Sequence, residues 1–105
     1  MDIITTTTEE IPGRKIKSIL GIVKGNTVRV KNIGVDFLAG LKNIVGGEVK
    51  SYTNMAIQAR DQAFSRMIDE AKKLNADAIV GIRFATSTVM QGASEMLAYG
   101  TAVKF

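Results

Sequence analysis

Arg60 is the residue of this chain with the clearest potential for chemistry, because it falls within the apolar face of a long predicted helix. A lone guanidinium is costly to bury, so Arg60 needs an anionic partner. Glu70 on the same helix lies about 15 Å further along the axis and cannot reach it. The partner must therefore come from elsewhere in the fold, from another subunit or from a ligand.

Two glutamates are candidates for that partner. Glu48 precedes Tyr52 by one helical turn, with Tyr52 on the apolar face and Glu48 near its edge. Glu95 and Tyr99 begin the last predicted strand and share one face, which we assign to the core. An inward glutamate would form a planar, doubly hydrogen-bonded pair with Arg60. Such a pair either locks helix to sheet or subunit to subunit, or it lines a pocket for a small polar or anionic ligand.

The composition excludes several kinds of site. Cysteine and histidine are both absent, which removes disulfides, thiol nucleophiles, Ser–His–Asp triads and the usual ligands of zinc and soft metals. Thioethers remain, but Met67 lies on the apolar helix face, so we expect the methionines to pack rather than to bind metal. Carboxylate-rich calcium loops and glycine-rich phosphate loops do not occur in the sequence. We predict no metal site, no cofactor and no catalytic residue; an enzyme using Glu48 and Glu95 is kept as an alternative.

The length of 105 residues predicts one domain over residues 1–105. No apolar run approaches the roughly 18 residues of a membrane span, and the first residues do not resemble a signal peptide, so we expect a cytoplasmic protein without membrane contact. The net charge of +4 does not by itself indicate nucleic acid. However, basic residues cluster over residues 14–31 without an acid among them. This segment is either a solvated sheet edge or, as a second alternative, a surface for anions or nucleic acid.

The hydrophobic pattern predicts an α+β fold, in which a largely antiparallel sheet has two helices packed on one face. The long helix covers residues 46–74, and a shorter helix capped by Asn32 covers residues 33–45. Alternating or β-branched segments predict strands over residues 3–8, 15–31, 78–90 and 95–105. Residues 15–31 form either one strand or a hairpin with its tip near Gly25.

Several sequence blocks resemble those of one known family. They are Thr27-Val28-Arg29, the run IVGGE ending at Glu48, Tyr52, Ala59-Arg60, Met67, Glu70-Ala71, the segment NADAIVG at 75–81 and the segment EMLAYGTAV at 95–103. In this order they resemble the YbjQ-like family of small bacterial and archaeal proteins, which is labelled as heavy-metal-binding. The resemblance adds Arg29 to the candidate residues. It implies a dodecin-like subunit assembled into a ring, a homopentamer, and it implies no known reaction.

The predicted sheet also favours self-association. Helices on one face leave the other face and the edges open, and the Thr-rich N-terminal segment and the apolar C-terminal strand are suited to pair with a neighbour. We therefore predict a ring-forming homo-oligomer that acts as a binding or scaffolding module. Its ligand or subunit contacts are expected at Arg29, Glu48, Tyr52, Arg60, Glu95 and Tyr99.

Overall fold

A computed structural model describes residues 2–30 and 47–105 of the protein, the second range with its side chains from Thr53 onward. These residues form a sheet and one long helix, which confirms the α+β class. The elements are β1 (Ile4–Thr5), β2 (Ser18–Val30), α1 (Gly47–Lys73), β3 (Ala78–Met90) and β4 (Ala93–Lys104). The shorter helix predicted over residues 33–45 lies outside the described residues.

The sheet has the strand order β1-β3-β4-β2. β4 lies in the middle and pairs antiparallel with both β2 and β3, whereas β1 pairs in parallel with the start of β3. The sheet is therefore mixed but largely antiparallel, as predicted. β2 runs straight through Gly25 as a single strand, so the hairpin alternative for residues 15–31 is wrong. β1 is shorter than the predicted strand, although Thr6 and Thr8 still hydrogen bond with β3 residues.

The helix α1 packs on β2 and β4 through a narrow row of small side chains. Ala59, Ala63, Met67 and Ala71 are buried at successive turns of the helix. Opposite them, Gly25 of β2 lies so close that a Cβ atom there would overlap the carbonyl oxygen of Ala63 and the amide nitrogen of Met67. The backbone of the helix therefore rests almost directly on the strand, a contact that only glycine permits.

The end of α1 agrees with the sequence prediction to within one residue. Asn75 adopts a left-handed conformation with φ of 59°, and its amide donates to the carbonyl of Lys72. This arrangement satisfies a terminal carbonyl and stops the helix. Within the described residues, no helix combines the length and apolar character needed to cross a membrane.

The sheet has a hydrophobic cluster on each face, and a bulge in β3 decides which residues of that strand belong to each cluster. Gly81 has φ of 63°, and the register with β4 shifts between Val80 and Arg83. As a result Val80 packs on the face away from α1, whereas Ile82 packs beneath the helix. A strict alternation from the sequence would have placed both on one face.

The segment between β1 and β2 covers one end of the face away from α1. Ile11 and Ile16 pack there with Phe105 on the buried side chains of Ala78, Val80 and Val103. The guanidinium of Arg14 lies 5.2 Å from the centre of the Phe105 ring, a cation–π contact. The other end of this face remains open, with Ile22 at 76% and Tyr99 at 38% of full exposure.

We expect Gly25→Ala to lower the free energy of unfolding by about 3 kcal/mol or more, because the new Cβ forces helix and strand apart. Urea denaturation followed by circular dichroism would measure this. Lys24→Ala is the matched control, since Lys24 is the exposed neighbour on the same strand, and it should change stability by less than about 0.5 kcal/mol. Equal stabilities for the two variants would contradict the close approach.

Candidate functional site

Arg60 is exposed on the helix surface, so the prediction that it is buried within the subunit is wrong. The buried row of α1 is narrower than the apolar face read from the sequence, and Ala56 is exposed as well. Arg60 precedes Phe64 by one turn, and the ring of Phe64 stacks on that of Phe84 in β3 with 6.2 Å between centroids. Arg60 therefore lies on the flank of α1 that overlooks β3, without an ion pair to any described residue.

Glu95 and Tyr99 lie on the sheet face away from α1, which corrects their assignment to the main core. Ala98 and Ala102 of β4 are the residues beneath the helix, and the alternation of the strand turns Glu95 and Tyr99 to the other side. The carboxylate of Glu95 accepts hydrogen bonds from the Asn26 side-chain amide at 3.1 Å and from the Ser87 hydroxyl at 3.4 Å. Within one subunit the sheet therefore separates Glu95 from Arg60.

Glu48 and Tyr52 belong to the first turns of α1, as predicted. Their side chains lie outside the described part of the structure, so their proposed roles stay predictions. The predicted set of six residues is thus divided among the helix, the strand β2 and the far face of the sheet.

Arg29 is the predicted site residue for which the structure shows a side-chain hydrogen bond to the helix. It is partly buried on the helix-facing side of β2, where its Nη2 donates to the side-chain carbonyl of Gln62 at 3.1 Å. Its Nε atom is buried and has no hydrogen-bond partner, and the same is true of the Thr27 hydroxyl two residues earlier. Each unsatisfied polar atom costs about 1–3 kcal/mol, so this part of the structure would gain from a group that accepts or donates a hydrogen bond.

A pocket of about 190 Å³ opens beside Arg29, between α1 and the sheet. Its polar lining comes from Arg29, Thr86 and Ser94, whereas its apolar lining comes from Met55, Ala56, Ala59 and Met96. Glu95 also borders the pocket, but its carboxylate is held on the other face of the sheet by the contacts described above. A cationic group and two hydroxyls on a mostly apolar wall are typical of a small-ligand site.

Most of these lining residues were missed in the sequence. Thr86 is one of the alternating residues of the predicted strand over 78–90, Ser94 precedes the predicted strand over 95–105, and Met55 and Met96 read as ordinary packing residues. A usable signal was available on β4, since Ser94 and Met96 alternate with Glu95 and so face the same side as the buried Ala98.

The basic segment over residues 14–31 does not form one surface. Arg14 stacks on Phe105 at one end of the far face, Arg29 points toward the helix, and Lys24 is exposed on the side opposite Arg29. Nucleic-acid binding requires cations that track a phosphate backbone together. The described residues of this segment therefore do not favour that alternative.

The residues present do not fit a heavy-metal centre. The described residues contain no group of three or more Asp, Glu, His or Cys side chains that could hold a metal ion. Met55 and Met96 bring two thioethers to the pocket, but the guanidinium of Arg29 lies in the same lining and repels a cation. Met67 is fully buried in the main cluster, so its predicted packing role is confirmed.

Comparison with known proteins settles the family. A family model, YbjQ_1, described as "Putative heavy-metal-binding", matches residues 3–105. The chain belongs to the YbjQ family. A UPF0145 protein from Archaeoglobus fulgidus is 62% identical over 103 residues, which cover 98% of this chain and 95% of the relative. A UPF0145 protein from Thermosipho melanesiensis is 58% identical over 101 residues, covering 96% and 94% of the two chains.

The YbjQ fold is also found in a solved structure. A protein of unknown function from Pediococcus pentosaceus, assigned to the DUF74 family, has a TM-score of 0.65 to this chain at 20% sequence identity. The match covers 98% of this chain and 97% of the other. At that identity the likeness establishes the fold alone. The description of the YbjQ family names heavy-metal binding and no reaction. Whether this chain binds a heavy metal can be tested directly, because the side chains that could act as ligands are known from its sequence.

We expect copper, zinc and nickel to bind this protein no more tightly than they bind unrelated proteins without cysteine and histidine. The physical reason is the absence of thiolate and imidazole from the sequence. Isothermal titration calorimetry on tag-free protein would test it, with a protein of similar size and composition as the control. A stoichiometric isotherm with a submicromolar dissociation constant would overturn this expectation.

Proposed function

We propose that this chain is the subunit of a ring-forming homo-oligomer in the cytoplasm, a homopentamer of dodecin-like subunits as the resemblance implies. We further propose that the assembly binds a small polar or anionic ligand at the interface between subunits and does not catalyse a reaction. The observation that carries the proposal is the outer edge of β3 over residues 83–90, which no strand of the described chain covers.

This edge of β3 carries neither a charge nor a proline over most of its length. β1 pairs only with Ala78 and Ile79, and the hydrogen bonds of the following threonines end at Ile82. Beyond Arg83 the strand reads FATSTVM, and its register with β4 is regular as far as Thr88, where a second irregularity follows. Natural proteins usually protect exposed edges with lysine, proline or bulges, so the regular, uncharged stretch up to Thr88 favours pairing with another copy.

The opposite edge of the same sheet, β2, is complementary in direction. β2 and β3 are both antiparallel to β4 and therefore run parallel to each other. If β2 of one copy pairs with β3 of the next, the sheet continues in one direction and each copy uses two different edges. Repetition of that contact with a closing rotation gives a ring, and it would cover exposed apolar residues of both strands, namely Val28, Val30, Val89 and Met90.

The position of the helix leaves room for a neighbour. α1 packs on β2 and β4 and barely touches β3. Phe84, on the helix-facing side of β3, is therefore 47% exposed. In a continuous sheet of three strands per copy, equivalent helices would lie about 14 Å apart, wider than the roughly 8–10 Å of directly packed helices. The additional space between neighbouring helices would be filled by side chains such as Phe64, Phe84 and Arg60. Arg60 would then reach an acidic group of the adjacent subunit, the second of the partners considered for it.

We expect native mass spectrometry to find the tag-free protein as an oligomer and the Val89→Lys variant as a monomer. Val89 is 59% exposed in the single chain, so the substitution should not disturb the subunit itself. A charge placed in the paired edge should raise the subunit dissociation constant at least about tenfold. Ser65→Lys, on the exposed surface of α1, is the control and should leave the subunit count unchanged. A monomeric parent protein would refute the assembly.

We expect Arg60→Ala to weaken assembly while changing the free energy of unfolding of the separate subunit by less than about 0.5 kcal/mol, because Arg60 is exposed within the subunit. Sedimentation at several protein concentrations would measure the first effect, and urea denaturation under dissociating conditions the second. Lys72→Ala removes another exposed helix cation and serves as the control. If Arg60→Ala keeps both the parent assembly and the parent melting temperature, Arg60 does not lock subunits together.

A further inference from the structure

We infer that the pocket beside Arg29 binds a small monocarboxylate with a short hydrocarbon chain, one ligand in each subunit. The inference deepens the proposed ligand binding and rests on it in one respect, the expectation of an anionic ligand. It differs in location, because every residue that it needs comes from a single subunit rather than from the contact between two.

Arg29 supplies the positive charge of the pocket. It lines the pocket and makes no ion pair within the described residues, where the two ion pairs are Lys73–Glu70 and Lys104–Asp77. Its Nη2 donates to Gln62, which orients the planar group. A carboxylate in the pocket would accept charge-assisted hydrogen bonds from the guanidinium and neutralise its charge.

The pocket has few polar groups, and their number limits the charge of the ligand. One guanidinium and the hydroxyls of Thr86 and Ser94 suit a single negative charge with two or three hydrogen-bond acceptors. A phosphate dianion is usually held by several cations or by a series of backbone amides. The pocket offers one cationic side chain among its lining residues, and so it favours a monocarboxylate over a phosphate ester.

The volume and the apolar lining of the pocket limit the length of the ligand. A pocket of about 190 Å³ has the volume of roughly six water molecules, well below the several hundred Å³ that hold drug-sized ligands. Met55 and Met96 provide flexible thioether side chains that adapt to the shape of a hydrocarbon chain, and Ala56 and Ala59 leave space for it. A chain of a few carbons beyond the carboxylate therefore fits, and a long fatty acid does not.

The test uses the methionines as reporters. Protein labelled with carbon-13 at the methionine methyl groups is titrated with sodium butanoate and observed by NMR spectroscopy. Methyl labelling gives readable spectra for a large assembly as well as for a monomer. We expect saturable shifts of the Met55 and Met96 methyl signals, while those of Met67 in the core and Met90 at the end of β3 stay in place. Butanamide, which has the same shape without the charge, should bind at least about tenfold more weakly, and so should inorganic phosphate.

Arg29→Gln should weaken butanoate binding at least about tenfold, because the charged hydrogen bonds are lost. Lys24→Gln removes a cation from the opposite side of the same strand and should change the affinity less than twofold. If Arg29→Gln does not fold, Arg29→Lys keeps the charge but loses the paired geometry, and it should bind butanoate several-fold more weakly.

Two results would overturn the inference: no saturable shift of Met55 and Met96, or an equal loss of affinity in Arg29→Gln and Lys24→Gln, which would indicate general charge attraction. Failure here is distinguishable from failure of the assembly. An oligomer that ignores butanoate refutes this site alone, whereas a monomer that binds butanoate refutes the ring alone.

Discussion

The close contact between one helix and one strand is the constraint on which the rest of this structure depends. Ala63 and Met67 can lie against β2 only because Gly25 has no side chain at the crossing. The same requirement places Ala98 and Ala102 in β4 beneath the helix. Small residues on both sides let dispersion contacts form along a narrow strip, and that strip fixes where the helix lies on the sheet.

A narrow strip of contact leaves two other regions uncovered, and both proposals concern them. On one flank of α1 the surface of β3 near Phe84 is open, beside an edge without protecting charges. Towards the start of α1, between the helix and strands β3 and β4, a small pocket remains beside Arg29. The close packing of the helix on the sheet, which alanine and glycine permit, therefore leaves a surface suited to another subunit and a cavity suited to a small anion.

The sequence predicted the elements well, because each has its own strong periodicity. The helix, β3 and β4 lie within one or two residues of their predicted bounds, and β2 was included as one of two alternatives. The faces were predicted less well. Tyr99 is a bulky residue of β4 and was assigned to the core, whereas the helix packs on the small residues Ala98 and Ala102 of the same strand.

The site illustrates the same difficulty. The bulge at Gly81 reverses the alternation of β3, and its φ of 63° cannot be read from a pattern that assumes a regular strand. Arg60 was placed in the core because the apolar face of the helix looked broad, although the strand beneath it supports only a narrow one. Arg29 was predicted through resemblance alone, and its hydrogen bond to the helix depends on Gln62, which is distant in sequence.

The strand order also has a consequence for the way in which the chain folds. Only β3 and β4 are joined by a short turn, whereas β2 pairs residue 18 with residue 104 and β1 pairs residue 4 with residue 78. Pairings between distant residues form slowly because a long loop must be closed first. The C-terminal hairpin is therefore the natural nucleus of the sheet, and the N-terminal strands join it last. Until they do, the edge of β4 that later pairs with β2 stays open in the hairpin and is available for pairing with another chain.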